Sequence, residues 1–429
     1  MKKYNSLKIL AAVMFAALAA LPLSAQKFKA NYDESKIPDY QLPDILQKAD
    51  GKGQISSSLE WLNFSRPRIL SILENEFYGH KLPRPEKMKF EVVEESDVFS
   101  GIAVRKQIKI TVSDKAGSHS FTMLMYEPKA ASKTNPAPAF IALNFKGNHA
   151  TSDDKNIAIT KAWMRGAKGN KASEEDRGVA KKRWPFEEIV KRGYAIATIY
   201  YGEIYPDKEK FDGTPESVYR IFDAKAVEMP AIAAWSWGLS RGIDALESMP
   251  EIDSNKIFVV GHSRLGKTAL LTGAYDKRVA ICASNDSGCM GAAISRRAYG
   301  ETVDIITTQF PFWFAKSLNK YKNAENTMPI DQHQLVAMMA PRPVYVASAT
   351  EDKWADPKGE LMALVEASKV YKLFGAQDLP GMDNFTPEKP FHGDVGYHLR
   401  IGKHDITVYD WMNYCDFADK HFGKPKNQL

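Results

Sequence analysis

The feature that most constrains this chain is a repeated pairing of a short, wholly apolar run with a helix-forming stretch. "APAFIALNF" (137–145), "AIATIYY" (195–201), "KIFVV" (256–260), "VAICAS" (279–284) and "RPVYVASA" (342–349) are runs of this kind. They lack period-two alternation, so they suit strands covered on both faces. "VEMPAIAAWSWGLSRGIDALES", "KTALLTGAY", "KGELMALVEASKVYKLF" and "TVYDWMNYCDFADKHF" have the length and residue types of helices. Strand–helix units repeated this often predict a mainly parallel sheet with helices on both sides, an α/β architecture. Ligands in such sheets bind beyond the carboxyl ends of the strands. The loops following residues 145, 260, 284 and 350 are therefore expected to face one another.

The N-terminal part differs. "KFEVV", "KQIKITV" and "FTMLMYEP", within 88–127, alternate apolar and polar residues as half-buried antiparallel strands do. Residues 26–60 carry little periodicity and read as a wrapping arm, and 61–429 as a single large domain without repeats or low-complexity linkers. Residues 1–25 have the layout of a secretory signal: Lys2, Lys3 and Lys8, then "ILAAVMFAALAALPL", then small residues allowing cleavage after Ala25. The mature protein is expected in the periplasm or outside the cell, soluble and monomeric, with no membrane segment. Cleavage takes three lysines and no acid from a formal charge of +6, leaving +3. That is too little and too dispersed for a nucleic-acid footprint. Cys282, Cys289 and Cys415 form no C-x-x-C pair, and their pairing is left open. No His/Cys cluster has zinc-ligand spacing, so no metal site is expected.

"VVGHSRLGKTAL" (259–270) supports two incompatible readings. Gly261 to Thr268 fits G-x-x-x-x-G-K-[ST], a phosphate loop. The same letters nearly fit G-x-S-x-G, the turn that lifts a serine above a sheet, except that Leu265 stands where glycine belongs and Gly266 follows one place late. Export, a position after several strands, and the lack of an acidic strand end for magnesium argue against a nucleotide site. The nucleophile reading demands Ser, then Asp or Glu, then His, each after a strand, as in α/β-hydrolases. "RPVYVASATEDKWADP" supplies Glu351 and Asp352, and "GYHLRIGKHDITVYDWM" supplies His404 just ahead of the last helix. His392 and His398 are rivals for the base, and His421 falls inside that helix. A hydroxyl attacks well only when a base removes its proton. Imidazole suits that task near neutrality, and a carboxylate fixes its tautomer.

With these residues in view, the chain resembles the glucuronoyl esterases, carbohydrate esterase family 15, and particularly their bacterial branch. The likeness rests on a G-[CH]-S-R-x-G-K turn, which accounts for the displaced Gly266, and on "SNDSG", "RRAYGETVD", "TQFPFWF", "EDKWADP" and "HLRIGKHD". It extends over most of 60–425. The resemblance implies an α/β-hydrolase three-layer sandwich without cofactor. It implies Ser263 as nucleophile, His404 as base and Arg264 as oxyanion donor through its N–H and guanidinium. Lys267, Glu301 and Trp354 would hold the sugar. Asp352 is expected to be the main acid, with Asp286 as a supporting or alternative carboxylate. The cysteine bridge of fungal relatives is not expected, since His262 stands where they have one of its cysteines. The expected substrate is a glucuronoxylan or lignin–carbohydrate ester of (4-O-methyl-)glucuronic acid. An acetyl xylan esterase and a non-catalytic xylan-binding scaffold are the competing readings.

Overall fold

The computed structural model describes residues 29–208, 216–222, 230–377, 379 and 381–428. The expected signal segment lies outside them. Ten strands form one sheet: β1 (Lys87–Val98), β2 (Ala103–Asp114), β3 (Gly117–Pro128), β4 (Ala137–Asn144), β5 (Ala195–Tyr200), β6 (Ile252–His262), β7 (Val279–Asn285), β8 (Val344–Ala349), β9 (Phe391–His392) and β10 (Val395–Arg400). Their spatial order is β1-β2-β3-β5-β4-β6-β7-β8-β10-β9. β1, β2 and β3 are an antiparallel meander, and β3 joins β5 antiparallel. From β5 to β10 every pairing is parallel, and β9 closes the edge antiparallel. This is the expected α/β-hydrolase arrangement, with antiparallel strands at its N-terminal side.

The continuous apolar runs are strands whose two faces are both buried. Along β4, Ile141 and Leu143 join one core cluster while Phe140 and Ala142 join the other. Along β6, Ile257 and Val259 face one side and Phe258 and Val260 the opposite side. The larger layer packs the helices Ala231–Glu247, Arg264–Tyr275 and Pro357–Lys372 on the sheet, and the smaller one packs Phe186–Lys191 and Val408–Phe422. β1 is nowhere fully buried, which explains its alternating composition.

The segment from residue 29 onward runs along the body of the protein. Asn31 accepts a hydrogen bond from Gly300 N–H at 2.8 Å, and Glu34 pairs with Arg297 at 2.7 Å. Further on, the Pro43 carbonyl meets His333 Nε2 at 2.9 Å. Cys282, Cys289 and Cys415 are all unpaired and buried. Burial raises each thiol's pKa, that of Cys282 to about 12.

Candidate active site

β6 passes directly into the helix Arg264–Tyr275, and Ser263 alone makes the turn. Its backbone sits at φ 58°, ψ −132°, a region that costs a non-glycine residue about 1–3 kcal/mol. Three hydrogen bonds hold it there. Ser263 N–H donates to the Asn285 carbonyl at 2.9 Å, and its own carbonyl accepts from Gly266 at 2.8 Å and Lys267 at 3.2 Å. Gly261 is needed because a Cβ there would lie 2.0 Å from the Leu265 oxygen. Gly266 is needed for a different reason: its Cβ would press to 2.9 Å on Ser287 Cβ and 3.2 Å on the Asn285 oxygen. The late glycine therefore serves the loop after β7, not a phosphate.

The lysine of the apparent phosphate loop confirms this. Lys267 is buried, and its ammonium donates to the Ser287 carbonyl at 2.8 Å, the Cys289 carbonyl at 2.6 Å and Glu301 Oε2 at 2.8 Å. All three of its protons are engaged within the protein. Glu301 is buried too, and its N–H donates to the Trp354 carbonyl at 3.0 Å, which joins the three expected sugar contacts into one unit.

His404 stands in the loop between β10 and the helix Val408–Phe422. Arg400 shapes that loop by donating to the carbonyls of Lys403 at 2.8 Å and Asp405 at 2.9 Å. Asp410 anchors Arg400 at 3.1 Å and His398 at 2.8 Å. His398 is thus a buried structural partner. His392 lies on the edge strand β9, and His421 bonds the Gly393 carbonyl at 3.0 Å. His404 Nδ1 lies 2.5 Å from Asp352 Oδ2, which leaves Nε2 for the cleft. Its side chain is 38 % exposed while that of Asp352 is 2 % exposed, so the pair has a dry end and a wet end. The His262 ring lies 4.5 Å from that of His404 and bonds Asn285 Oδ1 through Nδ1 at 2.6 Å. Burial, followed by the neighbouring His404, holds the pKa of His262 well below the usual imidazole value.

Asp286, after β7, takes φ 44° and is buried. It accepts Asp405 N–H at 3.3 Å and lies 3.7 Å from the Arg400 guanidinium, while its Oδ1 has no hydrogen-bond partner. Burial, and then the carboxylates of Glu360, Asp352 and Asp410, push its pKa well above the usual range. Each of Asp286, Asp352 and His404 offers an atom within 4.8 Å of the others, so this is where a cation could be held. Glu360 lies beneath, accepting Ser287 N–H at 2.7 Å, Gly288 N–H at 3.0 Å and the Ser348 hydroxyl at 2.6 Å.

Ser263, Arg264, Lys267, Asp286, Glu301, Trp354 and His404 line one cleft of about 190 Å³, together with Phe310 and Trp313. Asp352 stands behind His404. All eight residues singled out from the sequence thus gather at the carboxyl ends of the strands. Residues not assigned a role from the sequence hold Arg264. Its guanidinium carbon lies 5.1 Å from the Phe145 ring and 5.0 Å from the Trp313 ring, and Nε is 3.5 Å from Asp207 Oδ2. Asp207 is itself fixed by the Trp313 indole N–H at 2.7 Å and the Tyr201 hydroxyl at 3.1 Å. An Asp closing "YYGEIYPD" after a buried strand, and Trp313 within "TQFPFWF", were the local signals for this clamp.

A family model described as glucuronyl esterase of fungi matches residues 185–375. A carbohydrate esterase from an unknown prokaryotic organism is 42% identical over 409 residues, which is 92% of this chain and 93% of that relative. The structure of a promiscuous CE15 esterase from a marine bacterial metagenome superposes with a TM-score of 0.84 at 42% identity, covering 92% of this chain and 100% of the other. The glucuronoyl esterase from Solibacter usitatus gives 0.84 at 39% identity, covering 91% and 100%. With the serine turn, the histidine loop and the sheet order already in place, likeness over nine-tenths of the chain decides the matter. This protein belongs to carbohydrate esterase family 15, the glucuronoyl esterases, and is a carboxylic ester hydrolase.

Proposed function

We propose that the chain is a secreted serine esterase that cleaves esters of (4-O-methyl-)glucuronic acid carboxyl groups on xylan, including those to lignin alcohols. The observation that carries the reading is one cleft holding Ser263 on its strained turn, the His404–Asp352 pair, and the Lys267–Glu301–Trp354 unit. Relatives named 4-O-methyl-glucuronoyl methylesterase support the acid side of the specificity. One, from Wolfiporia cocos, is 37% identical over 162 residues, 35% of this chain and 39% of the relative.

Ser263 Oγ attacks the uronoyl carbonyl as His404 Nε2 takes its proton. Asp352 keeps the imidazole proton on Nδ1 and stabilises the imidazolium. Arg264 donates to the tetrahedral oxyanion, a contribution of about 3 kcal/mol per donor in such sites. His404 returns the proton to the leaving alcohol, which departs through the exposed side of the ring. Water activated by the same nitrogen then frees the glucuronate. Lys267 is saturated by protein acceptors, so its part is to hold Glu301 in place by pairing with Oε2, and the remaining acceptor capacity of the Glu301 carboxylate faces the sugar. That suits the hydroxyls of a sugar whose carboxyl is masked as an ester. No cofactor takes part, and the chain works as a monomer after cleavage at Ala25. Among the described residues no helix is long and apolar enough to cross a membrane.

The test is hydrolysis of methyl and benzyl glucuronate by wild type, Ser263→Ala and His404→Ala. Turnover is expected only in the wild type. Cleavage surviving in Ser263→Ala, or faster turnover of acetyl esters than of methyl glucuronate, refutes the reading.

A further inference from the structure

His262 is the last residue of β6 and stands between the nucleophile turn and the base, yet the serine mechanism gives it no part. In register it lies opposite Asn285, the last residue of β7, and its Nδ1 meets Asn285 Oδ1 at 2.6 Å. The Asn285 amide nitrogen donates to Asp410 Oδ1 at 3.2 Å. A carboxylate only accepts, so the amide oxygen is left for His262, whose Nδ1 carries the proton. The ring is buried, and the fixed charges that bear on it, Arg183 and Arg400, are cationic, so it stays neutral.

These contacts close a circuit. Asp410 holds Arg400 at 3.1 Å, and Arg400 donates to the Lys403 and Asp405 carbonyls at 2.8 and 2.9 Å. The loop so shaped carries His404, whose ring returns to within 4.5 Å of the His262 ring, tilted 42° to it. Phe145 meets His262 edge-on at 6.1 Å with the planes 88° apart. The same Phe145 ring lies 5.1 Å from the Arg264 guanidinium carbon. His262 thereby joins the frame of the base to the frame of the oxyanion donor.

The base needs such a contact. The hydrogen bond from His404 Nδ1 to Asp352 fixes one atom of the ring and leaves its plane free to turn about that bond. A ring packed 4.5 Å away limits the turning, and with it the aim of Nε2 at Ser263. A misplacement of about 1 Å at a reacting atom can cost about 100-fold in rate. When His404 takes the serine proton it becomes an imidazolium, and a neutral aromatic neighbour attracts a cation through its π face. That attraction exists only while the charge does, so it acts on kcat rather than on substrate binding.

We propose that His262 is a positioning residue for the catalytic base: its ring, fixed by Asn285, keeps His404 aimed at Ser263 and stabilises the imidazolium that forms there. The inference rests on the proposed serine mechanism. The test compares wild type with two variants. His262→Asn keeps an amide N–H near the place of Nδ1 but has no ring. His262→Phe keeps a ring without the donor, and a hollow of about 20 Å³ bounded by His262, Phe145 and Trp411 gives the larger ring room. On methyl glucuronate, His262→Asn is expected to lose about 10- to 100-fold in kcat with KM within about twofold, while His262→Phe stays within about threefold of wild-type kcat. The rate at which a fluorophosphonate labels Ser263 is expected to fall by the same factor in each variant, since labelling needs the base but not the sugar. A packing role alone would lower the urea midpoint and leave the kcat of folded protein unchanged. Wild-type kcat in His262→Asn, no advantage of Phe over Asn, or a loss confined to KM overturns the proposal. A wild type labelled at Ser263 but inactive on methyl glucuronate refutes the substrate reading instead, and the labelling rates then decide the role of His262. A wild type that is not labelled at all overturns both.

Discussion

The division of labour between Asp352 and Asp286 can be worked out before it is measured. Asp352 Oδ2 meets His404 Nδ1 at 2.5 Å, and the carboxylate is almost wholly screened from water. In Asp352→Asn the amide can still hold the ring, but the charge that stabilises the imidazolium is gone. For charge centres about 4 Å apart at an effective dielectric of about 20, that charge contributes about 4 kcal/mol, roughly three decades of rate. A wrong tautomer, with the amide N–H facing Nδ1, would deepen the loss toward about 10⁴. Asp286 differs. Its hydrogen bond is to Asp405 N–H, and burial among carboxylates already favours its neutral form. Asparagine copies the shape of that neutral form, so Asp286→Asn is expected to cost less than about tenfold. The assay is kcat/KM on methyl glucuronate for both variants and the double variant from pH 5 to 9. A loss of three decades in Asp286→Asn, with less than one in Asp352→Asn, refutes the assignment.

Three further perturbations test the surrounding scaffold. Gly261→Ala drives a Cβ onto the Leu265 carbonyl, so folded protein with a displaced serine turn and activity reduced at least about 100-fold is expected, checked by circular dichroism and turnover. Lys267→Met strands the buried Glu301; the expected cost is about 3–5 kcal/mol in urea unfolding, and adding Glu301→Gln should recover stability without restoring KM. Glu360 has its pKa raised by burial from 4.5 to about 8. The folded state holds that proton more tightly, so the contribution is complete below pH about 4.5 and is lost as pH rises toward 8. Glu360→Gln should flatten stability between pH 5 and 8 in urea midpoints; an unchanged slope counts against the argument.

The parallel strands were legible because burial on both faces writes an unbroken apolar run, as in β4 and β6. The meander was legible for the opposite reason, since β1 keeps water on one side and alternates. Ser263, Asp352 and His404 could be read as candidates because each follows a strand in the required chain order. Arg264 could be read as a site residue, but not the environment that orients it. Phe145, Asp207 and Trp313 come from separate loops and share no local spacing. Glu360 looks like a surface acid in "KGELMALVEASK", and only the amides of Ser287 and Gly288 show that it faces inward. Nor can spacing reveal that every proton of Lys267 is already engaged.

The state of Cys282, Cys289 and Cys415 has a practical consequence. A chain that keeps all three thiols unpaired and sealed gains nothing from oxidative folding enzymes, so reductant should leave the native protein untouched. The sealed sulfurs also serve as built-in reporters. A thiol reagent can reach them only when the core opens, and its uptake would time the excursions of this esterase out of its native state.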